Sequence, residues 1–340
     1  MNLRNLSSDI EVWFAENKRL LPWRVNPSPY KSLLAEIMLQ QTRITAVIPS
    51  YNRFIEVVPG FKELANLDDE KLRELWQGLG YYRRANNLRA CAKEIINKHN
   101  GKIPSDQKEL LSLPGIGEYT AGAILSMVYD LPYGALDGNL KRVIARLFEI
   151  EDPLNKTQDK KECKRHLDLL IDNCSSPAKL NEGLMELGER ICIPGKPKCN
   201  SCPLKSHCIA FKNSKTVNIP KAKEKKPFRE ENAIAWLSIE NDKIFMERLK
   251  KGQWNEGQLS IPFFHYRNCE DLSSRETAEM LFTIKHGITN HKFTILCYRK
   301  EKPEADLEGE YYDLKNLPAI STITKKALSR LTQQKGRLFH

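Results

Sequence analysis

The sequence predicts a mainly α-helical N-terminal region, a short basic linker and a smaller α+β C-terminal domain. Three observations carry this. Apolar residues recur at helical spacing up to about residue 211. Composition then turns polar and lysine-rich, with two prolines, over 211–231. From residue 232, short apolar runs are separated by turn signals. The domains are therefore set at 1–211 and 231–340, joined by a linker at 212–230.

The elements follow in order. "SLLAEIMLQQTRITAVI" (32–48) has apolar residues at 33, 34, 37, 38, 44, 47 and 48, which predicts one helix. "QKELLSL" (107–113) and "EYTAGAILSMVY" (118–129) predict two helices around the turn "PGIG". "LKRVIARLFEI" (140–150) and "LNEGLMELGERIC" (180–192) are helical on the same grounds. In the C-terminal domain, "NAIAWLSIENDKIFMERL" reads as strand, Asn-Asp turn and strand. "ITNHKFTILCYR" (288–299) reads as a further strand. "DLSSRETAEMLFTIKHG" (271–287) and "TITKKALSRLTQQ" (322–334) read as helices, and no internal repeat is visible.

A chain of 340 residues with 41% hydrophobic content can bury two cores. Its net charge of +11 suits a polyanionic partner. The N-terminus lacks the apolar stretch of a secretory signal, and no run of 18 apolar residues exists. The expectation is a soluble, cytoplasmic monomer with no membrane partner.

Two motifs carry chemistry. In "LPGIGEYTAGAI" (113–124), Gly115 and Gly117 permit unusual backbone angles and close approach of another backbone. The helix that follows begins with free N–H groups and a partial positive charge, a good seat for a phosphate oxygen. This helix–hairpin–helix pattern grips a DNA backbone without reading sequence; an ordinary tight turn is the alternative. The second motif is Cys192-x6-Cys199-x2-Cys202-x5-Cys208. Only one close C-x2-C pair is present, which favours a [4Fe–4S] cluster over the two-pair pattern of zinc sites. Zinc is the alternative. Lys196, Lys198 and Lys205 in the same loop are candidate phosphate contacts.

With these motifs in this order, the chain resembles the endonuclease III superfamily of base-excision glycosylases. Within it, the chain is most similar to MutY-type adenine DNA glycosylases. The resemblance rests on "LPWR" (21–24), "PYKSLLAEIMLQQT" (29–42), "GLGYYRRANNL" (78–88), "LPGIGEYTA" (113–121), "ALDGNLKRV" (135–143), "NEGLMELG" (181–188) and the cysteine loop. It implies a six-helix barrel, a helical lobe carrying one [4Fe–4S] cluster on the four cysteines, and a Nudix-like C-terminal domain. It also implies a partner, duplex DNA with adenine opposite 8-oxoguanine or guanine, from which the adenine is flipped out.

That chemistry needs an acid to protonate the purine and an anion to stabilise an oxocarbenium-like sugar. Glu36 matches the family's acid. On its own, at the margin of an apolar helix face, it reads first as a surface glutamate; partial desolvation there, which would raise its pKa, is the alternative that the resemblance favours. Asp137 matches the stabilising anion. On its own it reads as a helix N-cap, whose helix end favours the ionised form. Tyr119 and Asn139 match neighbouring catalytic-site positions. Trp23, Arg24 and Glu182 match the adenine pocket. Gln41, Thr42, Leu79 and Tyr81 match residues that fill or wedge the duplex near the opposite base, and "GYYRR" offers rings beside cations for that task.

The C-terminal domain lacks a Nudix box with paired glutamates, so no pyrophosphohydrolase activity is expected. Recognition of 8-oxoguanine through its N7 donor would discriminate by about 1–3 kcal/mol. Family members often carry a Phe-Ser-His-like loop; here the stretch is Ile288-Thr289-Asn290, where Thr289 keeps a hydroxyl and His291 is adjacent. Three rival functions are a lyase for damaged pyrimidines, a thymine glycosylase for G·T pairs and a non-catalytic iron–sulfur DNA-binding protein. Tyr119 stands where the lyase needs an amine. The "LLAEIMLQQT" stretch and the extra domain favour adenine over thymine. Binding alone requires neither Glu36 nor Asp137.

Overall fold

The computed structural model describes residues 2–222, 227–250, 252–253, 256–265, 279–288, 290–303 and 307–337. Its contacts divide into two units. One holds Met1–Leu67 and Arg83–Glu224; the other holds Asp68–Tyr82 and Lys225–His340. The short stretch 68–82 thus groups with the C-terminal residues.

In the first unit, α1 is Leu3–Asn17, α2 Pro29–Leu39, α3 Ile44–Val57 and α4 Phe61–Ala65. Helix α5, Asp69–Leu75, lies in the second unit. The chain returns to the first with α6 (Arg83–His99), α7 (Gln107–Ser112), α8 (Glu118–Met127) and α9 (Gly138–Phe148). It continues with α10 (Thr157–Ile171), α11 (Pro177–Arg190) and α12 (Ile209–Lys212).

Two of these helices matter most for the site. Helix α2 starts cleanly because Ser28 accepts from the Lys31 N–H and a proline occupies the first turn. Leu33, Leu34, Ala35, Ile37 and Met38 are all buried, so neighbours enclose α2 on nearly every side. Helices α1, α9, α10 and α11 share a second core built on Leu6, Ile10, Ile144, Leu167, Leu184 and Leu187. Gly122 lets α8 lie against the 134–135 backbone, since a Cβ there would stand 2.6 Å from the Gly134 carbonyl oxygen.

The single helix predicted over 32–48 is in fact two, broken between Leu39 and Ile44. Gln41 takes a left-handed conformation (φ 58°), which no helix can continue through. Periodicity missed the break because the apolar positions on either side stay in phase.

The second unit is α+β. Strands β1 (Arg229–Leu237), β2 (Ile239–Glu240) and β3 (Lys243–Arg248) come first. The turn between β2 and β3 places Asn241 and Asp242 both at positive φ, as the Asn-Asp signal predicts. Strands β4 (Leu259–Ser260), β5 (Phe263–His265), β6 (Glu279–Ile288), β7 (His291–Arg299) and β8 (Gly309–Asp313) follow, and α13 is Thr322–Arg337. One sheet has the order β5-β1-β7-β6, with β1 and β7 parallel; the other joins β2, β3, β4 and β8. Ile323 and Ala327 of α13 share a core with Phe282, Ile284, Phe293 and Ile295.

The helix predicted over 271–287 is corrected. Residues 279–288 form β6, and 271–278 lie outside the described residues. Phe282 and Ile284 are buried while Thr283 and Lys285 are exposed, a period of two that the mixed composition hid. The strand predicted over 288–299 is shortened at its start, because Ile288 ends β6 and pairs with His291 across the hairpin.

Candidate active site

Glu36 is buried, only 8% exposed, on the enclosed helix α2. The Tyr119 hydroxyl at the start of α8 donates to Glu36 Oε2 at 2.5 Å. Burial raises the Glu36 pKa to about 7; the Tyr119 hydrogen bond opposes this and the Asp137 charge adds to it. A carboxyl with this pKa is divided between acid and base near neutrality, the condition for general acid catalysis. Tyr119 is held as a neutral phenol, because burial and the neighbouring Glu36 push its pKa well above the ordinary value. Glu36 lines a pocket of about 260 Å³ with Trp23, Arg24, Glu182 and Met185 among its walls. The margin-of-helix reading of Glu36 understated its burial.

Asp137 is the N-cap of α9, and its Oδ1 accepts from the Leu140 N–H at 2.6 Å. Burial raises its pKa; backbone hydrogen bonds from Leu140 and Asn139 and the Arg142 charge pull the other way. The net direction is upward, so burial outweighs the helix end that the sequence reading put first. Asn139 Oδ1 accepts from Arg142 Nη2 at 2.9 Å, and Arg142 also donates to the Gly188 and Cys192 carbonyls. Gly188 is required here: a Cβ would stand 2.8 Å from Asn139 Cβ.

Sequence reasoning missed Asn181. It is fully buried, its Oδ1 accepts from the Ala135 N–H at 2.8 Å, and its Nδ2 donates to the Tyr133 and Pro177 carbonyls. It ties α11 to the segment that leads into Asp137. Nothing in the pattern "LNEG" distinguishes such an amide from a surface one.

Trp23 is buried and packs edge-on against Tyr51, ring centroids 5.3 Å apart. Arg24 donates to Glu182 at 2.8 Å and to Glu186 at 3.1 Å. Glu186 also receives Arg19 at 2.5 Å, and Arg19 reaches Glu189. Burial raises the Glu186 pKa, but Arg19 and Arg24 outweigh it and hold the carboxyl below its usual range. The predicted trio is thus brought together, in a larger ionic wall that the sequence did not reveal.

Gln41 is exposed at the break after α2, and Thr42 Oγ1 accepts from Arg84 Nη2 at 3.0 Å. Arg84 Nη1 donates to the carbonyls of Ile37, Met38 and Gln40. It satisfies the orphan carbonyls at the C-terminal end of the helix that carries Glu36. The expectation of an arginine beside exposed rings in "GYYRR" is therefore corrected for Arg84, which is buried. Arg84→Ala would leave those carbonyls unsatisfied and is expected to lower stability by about 2–4 kcal/mol. Urea unfolding checks this, and an unchanged midpoint would contradict it.

In the second unit, Leu79 is 5% exposed and Tyr81 is 53% exposed with φ 47°. Gly115 has φ 81°, and a Cβ there would stand 2.8 Å from Asn87 Cβ, so the first hairpin glycine is explained within the chain. Gly117 is different. Its backbone is extended and nothing lies within 4 Å of its Cβ position, leaving open space at the start of α8. Thr289 lies outside the described residues. His291 Nδ1 is 3.0 Å from Glu231 Oε1.

Cys192, Cys199, Cys202 and Cys208 border one cavity of about 30 Å³. Arg146 Nη1 donates to Cys192 Sγ at 3.4 Å and to the Ile193 carbonyl at 2.8 Å. Burial pushes the Cys202 thiol up to about 12 and the Cys208 thiol up to about 11. Among the described residues no three His, Cys, Asp or Glu side chains converge as closely as a single metal ion requires. Lys196 and Lys198 are exposed, and Lys205 lies over the Phe211 ring.

A helical hairpin beside a buried carboxyl–phenol pair, with a cysteine loop on the adjoining helices, defines a helix–hairpin–helix base excision protein. Residues 34–171 match the family described as HhH-GPD superfamily base excision DNA repair protein. The chain is 39% identical to an adenine DNA glycosylase of Buchnera aphidicola subsp. Schizaphis graminum, over 93% of this chain and 95% of that one. It is 34% identical to the adenine DNA glycosylase of Homo sapiens, over 58% of this chain and 38% of the human protein. A solved thermostable thymine-DNA glycosylase superposes with a TM-score of 0.55 at 28% identity, covering 62% of this chain and 97% of that one. The chain belongs to the adenine DNA glycosylase family of DNA N-glycosylases. Among the described residues no helix is long and apolar enough to cross a membrane.

Proposed function

We propose that this protein is a monofunctional glycosylase that excises adenine paired with 8-oxoguanine or guanine in duplex DNA. The observation that carries the reading is the buried Glu36 carboxyl, bonded by a neutral Tyr119 phenol, with Asp137 near enough to raise its pKa. Protonated Glu36 gives its proton to the flipped purine, which weakens the glycosidic bond. Asp137 stays charged beside the sugar as positive charge develops there. The wall of Trp23, Arg24 and Glu182 holds the base. The glycosidic bond breaks and adenine leaves with that proton. Water adds its hydroxyl to the sugar carbon and returns a proton to the Glu36 carboxylate. The strand stays intact because Tyr119 offers no amine for a Schiff base.

Cys192, Cys199, Cys202 and Cys208 would hold a [4Fe–4S] cluster, which when bound acts as a structural clamp on the loop carrying Lys196 and Lys198. Open space at Gly117 leaves room for a DNA phosphate at the start of α8. The C-terminal domain, Nudix-like but without a Nudix box, would read the opposite base from the hairpin at 288–291, and Leu79 and Tyr81 would act at the opened stack. We place the protein in the cytoplasm as a monomer.

Duplexes containing A·8-oxoG, A·G, T·G or thymine glycol test this. Adenine release from the first two, with strand breaks appearing mainly after alkali, is the expected result. Prompt strand cleavage at thymine glycol, or thymine release alone, would refute it.

A further inference from the structure

A second basic feature lies within the C-terminal unit. There β6 and α13 flank a groove of about 750 Å³ lined by Thr283, Lys285, Lys325, Lys326, Ser329 and Arg330, with Ile284 and Gln333. All four cations are exposed. Among the described residues no carboxylate lines the groove. Helix α13 contains no aspartate or glutamate anywhere along its length. Solvated helix faces ordinarily mix both signs of charge, because crowded like charges repel. Here the strand adds Lys285 to the cations of the helix.

The crowding reaches one neighbour: burial, with the Lys326 charge adding to it, lowers the pKa of His286 next to Lys285. An edge strand needs a single lysine to discourage strand pairing. Four cations in one concavity exceed that need.

We propose that this groove is a binding site for DNA backbone phosphates, separate from the helix–hairpin–helix turn. Three observations select this occupant. Among the described residues no aromatic side chain lines the groove, so its described walls offer no face on which to stack a base, and recognition rests on the phosphate. Hydroxyl and amide groups of Thr283, Ser329 and Gln333 supply neutral donors between the cations, the usual company of a phosphate contact. Strand addition by a peptide is obstructed, because Lys326 Nζ already occupies the Lys285 carbonyl at 2.8 Å on the sheet's edge strand. The same strand runs directly into the hairpin at 288–291, so a phosphate path here leads to the tip proposed to face the opposite base.

The inference rests on the reading of the chain as a DNA-binding glycosylase, and the experiment separates the two. The full chain is titrated with a duplex carrying a non-hydrolysable adenosine analogue opposite 8-oxoguanine, across a series of salt concentrations. Lys285→Gln, Lys325→Gln and Arg330→Gln are combined; Lys326 is left intact because it holds the strand edge. Each lost phosphate contact removes about 0.9 from the slope of log affinity against log salt, so the slope is expected to fall by about 2–3. Affinity should fall about tenfold or more at low salt, equally for mispaired and fully paired duplexes. A companion variant with Lys285→Arg, Lys325→Arg and Arg330→Lys should keep the wild-type slope, which excludes misfolding as the cause.

An unchanged slope and affinity in the glutamine variant, with wild-type protein that binds DNA and releases adenine, overturns the groove alone. Loss of binding to a glutamate-rich peptide with DNA binding intact also overturns it, in favour of a protein partner. Wild-type protein that neither binds duplex DNA nor releases adenine overturns both readings.

Discussion

Glu36→Gln is expected to lower the single-turnover rate of adenine excision by about 10²–10⁴-fold, the usual share of a general acid. Glutamine keeps the shape of the side chain and can still accept from Tyr119. It cannot deliver a proton. The wild-type rate should carry an alkaline limb centred near the Glu36 pKa of about 7, because the acid must be protonated to act. The limb should vanish in the residual activity of the variant. A rate within threefold of wild type would remove Glu36 from the mechanism.

The same substitution makes a prediction about stability with an unusual sign. Burial raises the native pKa of Glu36 from 4.5 to about 7. Below pH 4.5 the carboxyl is protonated in both native and unfolded states and no difference arises. As pH rises from 4.5 to 7, the unfolded state gives up its proton more readily, so native stability falls, and the loss is complete above 7. At 1.36 kcal/mol per unit, the accumulated penalty is about 3 kcal/mol. Glutamine does not titrate. The inactive variant should therefore gain stability relative to wild type between pH 5 and 7 and hold that advantage at pH 8. Thermal unfolding of both proteins across this range measures it, and a constant difference would show that Glu36 is not desolvated.

The sequence made the chemistry more legible than the geometry. Glu36, Tyr119 and Asp137 are far apart in sequence but each sits in a distinctive motif, and the fold brings Tyr119 onto Glu36 directly. The four cysteines declare themselves by density alone and do border one cavity. What stayed hidden was support. Arg84, Asn181 and Glu186 are polar residues at helical spacing, indistinguishable from solvated ones until the fold shows them buried. Arg84 in particular sits beside two tyrosines and reads as a surface cation, yet its job is to terminate α2. The break at Gln41 was invisible because phase was kept across it. Strand β6 was read as a helix because its polar residues alternate with apolar ones only over a short span, within a longer stretch of helix-forming composition.

Asp137→Asn is expected to lower the excision rate by about 10²–10³-fold, the scale of losing one preorganised electrostatic group. The substitution isolates charge from structure. Asparagine is as good an N-cap as aspartate, so Oδ1 still accepts from the Leu140 N–H and α9 keeps its start. Asp137→Ala loses both the cap and the charge, and should cost about 1 kcal/mol of stability that asparagine does not. The asparagine variant carries a second signature. The Asp137 charge is one of the groups that raise the Glu36 pKa. Removing it lets Glu36 ionise more easily, so the alkaline limb of the rate profile should move to lower pH. A purely structural Asp137 would move neither the limb nor the rate once the cap is preserved. A fallen rate with an unmoved limb would place the Asp137 charge too far from Glu36 to act on its pKa.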